Sequence, residues 1–238
     1  MQLHDFILVV IGFVSECVGT LSGFGSSLFF LPLALLLENP EFVLALTGIL
    51  HCFGNFSKIL LFRKNFDWRA FWLLSIPFVV FTGMGALLVV VTSGRDVKPV
   101  LGVFLILYSL FSLLKPTQTP KLPRWVAVAL SAASGLATGF IGTGGPIRGI
   151  ALTALRVPKS GFVAVSSAID MGGDLLRTAI YLKSGFMNWN QWFYVPLLAL
   201  AAYGGAKVGQ ALLSRINQNQ FEKIVSVFIL VSGVLLLV

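Results

Sequence analysis

The stretch that decides the fold is WVAVALSAASGLATGFIGTGGPIRGIALTAL, residues 125–155. Apart from Arg148 it carries no charge, as expected of a segment inside a lipid bilayer, yet a run of about 20 residues already spans a bilayer. At about 1.5 Å per residue, its 31 residues are too many for one upright helix. The glycine-rich centre at 135–146 therefore predicts a break, with a half-length helix on each side.

Seven further apolar blocks accompany this stretch. In chain order the eight blocks are 6–37, 42–62, 70–92, 99–114, 125–155, 161–182, 191–213 and 221–238. The first block is also overlong, and GTLSGFGSS at 19–27 is expected to break it in the same way. The joints are short and polar, which leaves no room for a soluble domain. The first residues, MQLHDF, lack the basic flank of a cleavable signal peptide, so the first block is expected to remain in the protein.

The composition excludes several classes of protein. The chain is 57% hydrophobic and only 11% charged, whereas soluble domains carry about 25% charge. Its 21 Phe are the reverse of a disordered composition. Cys17 and Cys52 lie in apolar runs and match neither a disulfide framework nor a metal site. We therefore predict an all-α polytopic membrane protein with no cofactor and no metal.

An internal repeat divides the chain into halves. GTLSGF at 19–24 aligns with GLATGF at 135–140, and Gly54-Asn55 aligns with Gly173-Asp174 at an offset of 119. The basic, proline-rich segment KPTQTPKLPR separates the two copies. The predicted organisation is an N-terminal membrane repeat at 1–114, a cytoplasmic linker at 115–124 and a C-terminal membrane repeat at 125–238.

Loop charge distinguishes two topologies. If all eight blocks span the membrane, seven basic loop residues face one side and six the other. If the first and fifth blocks are re-entrant hairpins, ten face one side and three the other. Cytoplasmic loops carry an excess of Lys and Arg, so the hairpins are favoured. Each half then has three crossings, the halves are inverted repeats, and both termini are extracytoplasmic. A kinked full span stays an alternative.

Charged residues inside apolar blocks indicate an internal polar space, because each costs about 2.5 to 3.5 kcal/mol at a helix centre. They are Glu16, Lys58, Arg148, Asp170, Asp174, Arg177 and Lys207. Two helical stripes at i, i+4 and i+7 are related by the repeat offset. One is His51, Asn55 and Lys58, and the other is Asp170, Asp174 and Arg177. The role of Glu16 stays open, since Ala132 is its repeat counterpart.

Each glycine break also begins a new helix, and helix N-termini attract anions through unpaired N–H groups. The residues at the two tips are Gly23, Gly25, Ser26 and Ser27 in one half, and Gly142, Thr143, Gly144, Gly145 and Pro146 in the other. Together with Lys58 and Arg177 on opposite sides of one space, the tips predict a small-oxyanion site. Arg148 follows the second tip and adds a forked donor.

Structural alternatives stay open for these residues. Lys58 lies five residues before Arg63 and can reach the membrane interface. Asp174 and Arg177 are spaced as an i, i+3 pair that stabilises a helix. Lys207 is interpreted as an interface anchor, and the glycines also suit close helix packing.

The chain resembles the sulfite exporter TauE/SafE family of membrane transporters. The resemblance covers two four-segment halves, each with a glycine cluster in its first segment. Its most specific part is Gly142-Thr143-Gly144-Gly145-Pro146, followed by Arg177, Tyr181 and Gly185. It implies transport of sulfite, of sulfonates such as sulfoacetate or of related organic anions in prokaryotic inner membranes. The chain departs from the family at GFGSS (23–27) and at Arg148, where an apolar residue is expected.

The function predicted from these patterns is secondary transport of a small oxyanion, with an anion channel as the alternative. The predicted substrate-binding residues are Lys58, Arg177, Arg148, Asn55, Gly23, Gly25, Ser26, Ser27, Gly142, Thr143, Gly144 and Gly145; His51, Asp170 and Asp174 are candidates for proton coupling. The chain contains no P-loop, G-x-S-x-G or H-E-x-x-H motif, so we expect no ATPase or enzyme. The expected partners are the anion and the bilayer, without nucleic acid; direction, coupling ion and homo-oligomerisation stay open.

Overall fold

The computed structural model describes residues 3–22, 25–62, 66–114, 122–157, 159–213 and 215–238. Within these ranges the chain forms α-helices joined by short turns and one 3-10 helix, Trp189–Gln191, and no strand. The helices are α1 Leu3–Ser22, α2 Ser27–Ala34, α3 Pro40–Phe62, α4 Trp68–Val91, α5 Val97–Leu113, α6 Arg124–Ile141, α7 Gly145–Ala154, α8 Lys159–Lys183, α9 Tyr194–Leu212 and α10 Gln218–Leu235. The predicted all-α class is confirmed, and each apolar block corresponds to one helix or to a broken pair.

The two broken blocks do not divide in the way expected. Half-length helices were predicted, but α1 has 20 residues and α2 only 8, while α6 has 18 and α7 has 10. The expectation of two equal halves is wrong because the breaks come late in each glycine cluster. Gly135 and Gly139 lie within α6, and the left-handed Gly142 (φ 80°) ends that helix.

Several helices suit a lipid environment. By length and composition, α1, α3, α4 and α6 can each cross a membrane, and α5 is a shorter apolar helix. Large apolar side chains such as those of Ile76, Leu107 and Leu200 are exposed on the outside of the bundle, where water would make them costly. These helices and this apolar surface are typical of a multi-pass membrane protein.

Helices from the two predicted halves pack against each other. α1 packs on α9, α4 on α6 and α8, α3 on α8 and α9, and α5 on α10. The crossing of α4 and α6 is close because Gly135 and Gly139 lie against the backbone carbonyls of Phe78 and Thr82, where a Cβ would collide. This packing brings the starts of the short helices α2 and α7 together.

Candidate functional site

The two glycine breaks meet inside the protein. The Ser27 hydroxyl, at the start of α2, donates to the Thr143 hydroxyl just before α7, at 2.9 Å. Each break contains a glycine with a left-handed backbone, Gly25 (φ 97°) and Gly142 (φ 80°), a conformation that other residues adopt only with strain. The sequence motifs singled out for anion binding therefore lie next to each other.

The backbone just before α7 packs closely against α6. Gly144 precedes the helix and Pro146 lies in its first turn, as proline often does. The Ser134 hydroxyl donates to the Gly144 carbonyl at 2.7 Å and ties the break to α6. A side chain at position 144 would collide with the Ser134 carbonyl and the Thr138 hydroxyl. The first N–H groups of α7 have no partner within the helix itself.

Two small cavities lie at this junction. The first is lined by Gly25, Ser27, His51, Thr138, Gly142, Thr143, Gly144, Gly145, Arg148 and Asp170. The second is lined by Gly19, Gly25, Asn55, Lys58, Arg148, Val163, Ser166, Ser167 and Asp170. Gly25, Arg148 and Asp170 line both cavities, so the two spaces adjoin each other.

Arg148 is the cation shared by the two cavities. It lies in the first turns of α7 and is 1% exposed. Its two terminal nitrogens donate to the two carboxylate oxygens of Asp170 on α8, and its Nε donates to the Ser166 hydroxyl at 3.0 Å. The guanidinium also lies 5.3 Å from the centre of the Phe78 ring. The forked donor predicted at this position is therefore engaged by a carboxylate of the protein.

Asp174 connects α3 and α8. One of its oxygens accepts from the Asn55 amide at 2.7 Å and lies 3.5 Å from the His51 Nδ1. The other accepts from the Arg177 Nε at 2.7 Å. Asp174 is fully buried, and three donors of this kind offset the cost of burying its charge.

Lys58 has a partner on a third helix. Its Nζ lies 2.7 Å from Oε2 of Glu16 on α1. The Ser26 hydroxyl donates to the other oxygen of the same carboxylate. Sequence reasoning left the role of Glu16 open. The available signal was charge balance, because the apolar blocks contain cations that need buried carboxylates as partners.

Arg177 lies apart from the cavities. Its side chain is fully buried against Asp174, and its NH1 donates to the Thr138 carbonyl at 3.4 Å. It is absent from both lining sets, whereas Lys58 lines the second cavity. The structure therefore does not bring Lys58 and Arg177 to opposite walls of either cavity. Gly23, another predicted site residue, lies outside the described residues.

Two buried polar atoms in the first cavity lack a hydrogen-bond partner among the described residues. They are Nε2 of His51 and Oγ1 of Thr138, and the two residues are 7% and 3% exposed. An unpaired buried polar group costs about 1 to 3 kcal/mol. Their place beside Arg148 and the start of α7 indicates a site that accepts a polar ligand.

Other candidate chemistry is weaker. Lys207 is exposed, with its Nζ 5.9 Å from the centre of the Tyr203 ring, a position that suits the interface anchor predicted for it. Within the described part of the chain, His, Cys, Asp and Glu form no group suited to a metal ion.

Comparison with known proteins identifies the family. The family model described as sulfite exporter TauE/SafE matches residues 8–236. The chain belongs to the TauE/SafE family. It is also similar to the "Probable membrane transporter protein YunE" of Bacillus subtilis (strain 168), with 22% identity over 267 residues and 95% of each chain covered. No solved structure matches the chain. Membership confirms the resemblance read from the glycine motif, and it makes the protein a membrane transporter of this family.

Proposed function

We propose that this TauE/SafE protein is a secondary transporter of small oxyanions such as sulfite and organosulfonates, including sulfoacetate, across a prokaryotic inner membrane. The observation that carries the proposal is the pair of adjoining cavities at the meeting of the two glycine breaks. Their walls combine helix N–H groups with Arg148, Lys58 and His51. Such donors suit the delocalised charge of an oxyanion.

The first cavity would hold the oxyanion head. Its donors are the N–H groups of 144 and 145, the Thr138 hydroxyl and the Arg148 guanidinium. If the Nδ1 proton of His51 faces Asp174, its Nε2 donates only when the imidazole is protonated. His51 is therefore a coupling residue in this proposal, together with Asp170 and Asp174. The second cavity adds Lys58 and the Asn55 amide for the remainder of an organosulfonate.

Alternating access would come from motion of one inverted repeat against the other. Two contacts between repeat equivalents support a two-fold relationship between the halves. Ser27 bonds to Thr143 and Asn55 bonds to Asp174, and residues that contact their own equivalents lie near a two-fold axis. The packing of α1 on α9 is likewise matched by that of α6 on α4. In this scheme α1 with α2, and α6 with α7, form the two hairpins.

The test is uptake of labelled sulfite, sulfoacetate and methanesulfonate into proteoliposomes that contain the full chain. We expect saturable uptake, together with counterflow when the vesicles are preloaded with unlabelled anion. Conductance without counterflow would instead indicate the channel.

Arg148→Lys retains a positive charge but loses the fork, so uptake should fall by about tenfold or more. Arg69→Lys, at an exposed position on α4, is the matched control and should transport normally. Absence of uptake and counterflow for all three anions would contradict the proposal.

A further inference from the structure

The buried charges of the site are already balanced within the protein. Among the described residues, the buried carboxylates are Glu16, Asp170 and Asp174, and the buried Lys and Arg side chains are Lys58, Arg148 and Arg177. Each carboxylate contacts one of these cations. An arriving oxyanion would therefore add a charge to a balanced cluster, and an uncompensated charge in a low-dielectric interior costs several kcal/mol. The added charge is offset when one titratable group of the cluster takes up a proton, and the three carboxylates and His51 beside Asp174 are the candidates.

Glu16 occupies a place that suits a bound anion. Its carboxylate lies between the Lys58 ammonium and the Ser26 hydroxyl at the start of α2. The space for this carboxylate is made by glycine, because a Cβ at Gly54 would collide with it and a Cβ at Gly205 would crowd the Glu16 Cβ. The carboxylate is thus held by a site to which two other helices, α3 and α9, and the first break contribute.

Glu16 differs from the other two carboxylates in its cation. Asp170 accepts two bonds from the Arg148 fork, and Asp174 accepts from Asn55 and Arg177. Glu16 accepts from the Ser26 hydroxyl, and its other oxygen lies 2.7 Å from the Lys58 ammonium, a point charge on a flexible stem. Displacing Glu16 consequently breaks no forked pair, and it frees a cation that lines the second cavity.

We propose that Glu16 is an internal counter-anion, which the transported oxyanion displaces from Lys58 and which takes up one proton when it is displaced. This rests on the proposed function. The balance is simple: the carboxylate accepts one proton from solution, the oxyanion replaces its negative charge beside Lys58, and the net charge of the cluster is unchanged for a monovalent anion. Each transport cycle would then carry one proton with each monovalent anion.

Few other titratable groups face Glu16. Lys58 approaches it from α3, and the first break supplies Ser26. On α9, Tyr203 and Lys207 are exposed and lie near each other. Cys17, the next residue on α1, is partly exposed. His51 and Asp174 pair with each other further along the polar stripe.

The experiment measures binding of methanesulfonate to the purified full-length protein as a function of pH. This anion is monovalent and stays ionised near neutral pH, whereas sulfite itself titrates there. The complex would hold one more proton than the free protein, so Kd should rise about tenfold for each unit of increasing pH. Glu16→Gln removes the titrating group and leaves Lys58 available. Its Kd should be lower in alkaline solution and nearly independent of pH.

Asp96→Asn is the control, because it neutralises an exposed carboxylate outside the cluster while leaving Glu16 in place. It should keep the dependence on pH. An unchanged pH dependence in Glu16→Gln, or its loss in Asp96→Asn, would overturn the assignment to Glu16.

A second measurement does not depend on any variant folding. A pH-indicator dye reports the protons taken up when the wild-type protein is saturated with methanesulfonate in weakly buffered solution. We expect about one proton per bound anion, and release or no uptake would overturn the proposal. Failure of sulfite, sulfoacetate and methanesulfonate alike to bind or be transported would refute the proposed function, and this inference with it. Binding without proton uptake would refute the inference alone.

Discussion

Lys58 and Arg177 occupy equivalent positions in the two repeats predicted from sequence, 119 residues apart, yet their surroundings differ. Lys58 pairs with a carboxylate from another helix and lines a cavity. Arg177 pairs with Asp174 three residues earlier on its own helix and lines neither cavity. Equivalent polar stripes on α3 and α8 therefore place one cation, Lys58, in a cavity wall and leave the other, Arg177, outside both cavities.

The difference shows how the second half supplies its cavity cation. Arg148, on the short helix α7, reaches both cavities, and Asp170 holds it there. Position 170 is the repeat equivalent of His51, so the acid that holds Arg148 replaces a histidine of the first half. The two halves thus contribute different cations from different elements. We expect Arg177 to support the structure, while Lys58 and Arg148 interact with substrate.

The largest expected effect is on stability when the Arg177 pair is broken. Asp174→Asn should reduce the free energy of unfolding by about 3 to 5 kcal/mol, because it leaves Arg177 buried without its carboxylate. The measurement is denaturant unfolding of the protein in detergent micelles. Glu16→Gln should be milder, since Lys58 lines a cavity and can be hydrated. Lys183→Ala, at an exposed position on the same helix as Asp174, is the control. Equal losses for the two carboxylate variants would remove the contrast between the pairs.

Breaking the Lys58 pair should mainly impair transport. Lys58→Met removes the cavity cation, and truncating one partner of a buried charge pair costs about 2 to 5 kcal/mol. Proteoliposome uptake per folded molecule should fall by at least about tenfold. The double variant Lys58→Met with Glu16→Gln removes both charges, so it should recover stability but not transport. Recovery of transport in the double variant would show that Lys58 serves only to neutralise Glu16.

Much of the fold was predictable because lipid imposes long apolar runs on each helix. The predicted block 70–92 corresponds to α4, Trp68–Val91, and the block 161–182 corresponds to α8. The lengths within the broken blocks were not predictable. Gly135 and Gly139 lie within the continuous helix α6 and allow α4 to pack closely against it. Gly142, in contrast, ends α6. Sequence alone does not distinguish a glycine that serves packing from one that breaks a helix.

The site was partly predictable for a related reason. The cost of burying charge singled out Lys58, Arg148 and Asp170, and the structure places all three in cavity walls. The repeat did not identify the partner of Lys58, since the counterpart of Glu16 is Ala132 and Glu16 reaches Lys58 only because Gly54 leaves room. The i, i+3 spacing of Asp174 and Arg177 was visible in sequence and corresponds to the ion pair observed.

The equivalent glycines Gly54 and Gly173 provide a further test of the difference between the halves. A Cβ at 54 would collide with the Glu16 carboxylate, whereas a Cβ at 173 would meet the Phe78 ring and the Thr82 hydroxyl. Each alanine variant should lose about 1 to 3 kcal/mol of stability through overpacking. Only Gly54→Ala should also change the pH dependence of methanesulfonate binding. Gly12→Ala is the control, because the nearest atom to its Cβ would be at 3.4 Å. Its free energy of unfolding should match that of the wild-type protein. A changed pH dependence in Gly173→Ala would mean that the Glu16 pair is not specifically involved.

The smallest expected effect concerns the contact where the two breaks meet. Ser27→Ala removes the hydrogen bond to Thr143 and should lower the free energy of unfolding by about 0.5 to 1.5 kcal/mol, the usual range for a neutral pair. The bond joins repeat equivalents, so its loss should loosen both halves without changing the charge of either cavity. Thr143→Val, alone and combined with Ser27→Ala, completes a double-mutant cycle that isolates the pairwise coupling. Ser184→Ala, at an exposed position after α8, provides the baseline for losing a hydroxyl. A coupling energy near zero would mean that the breaks are held together by the surrounding helices alone.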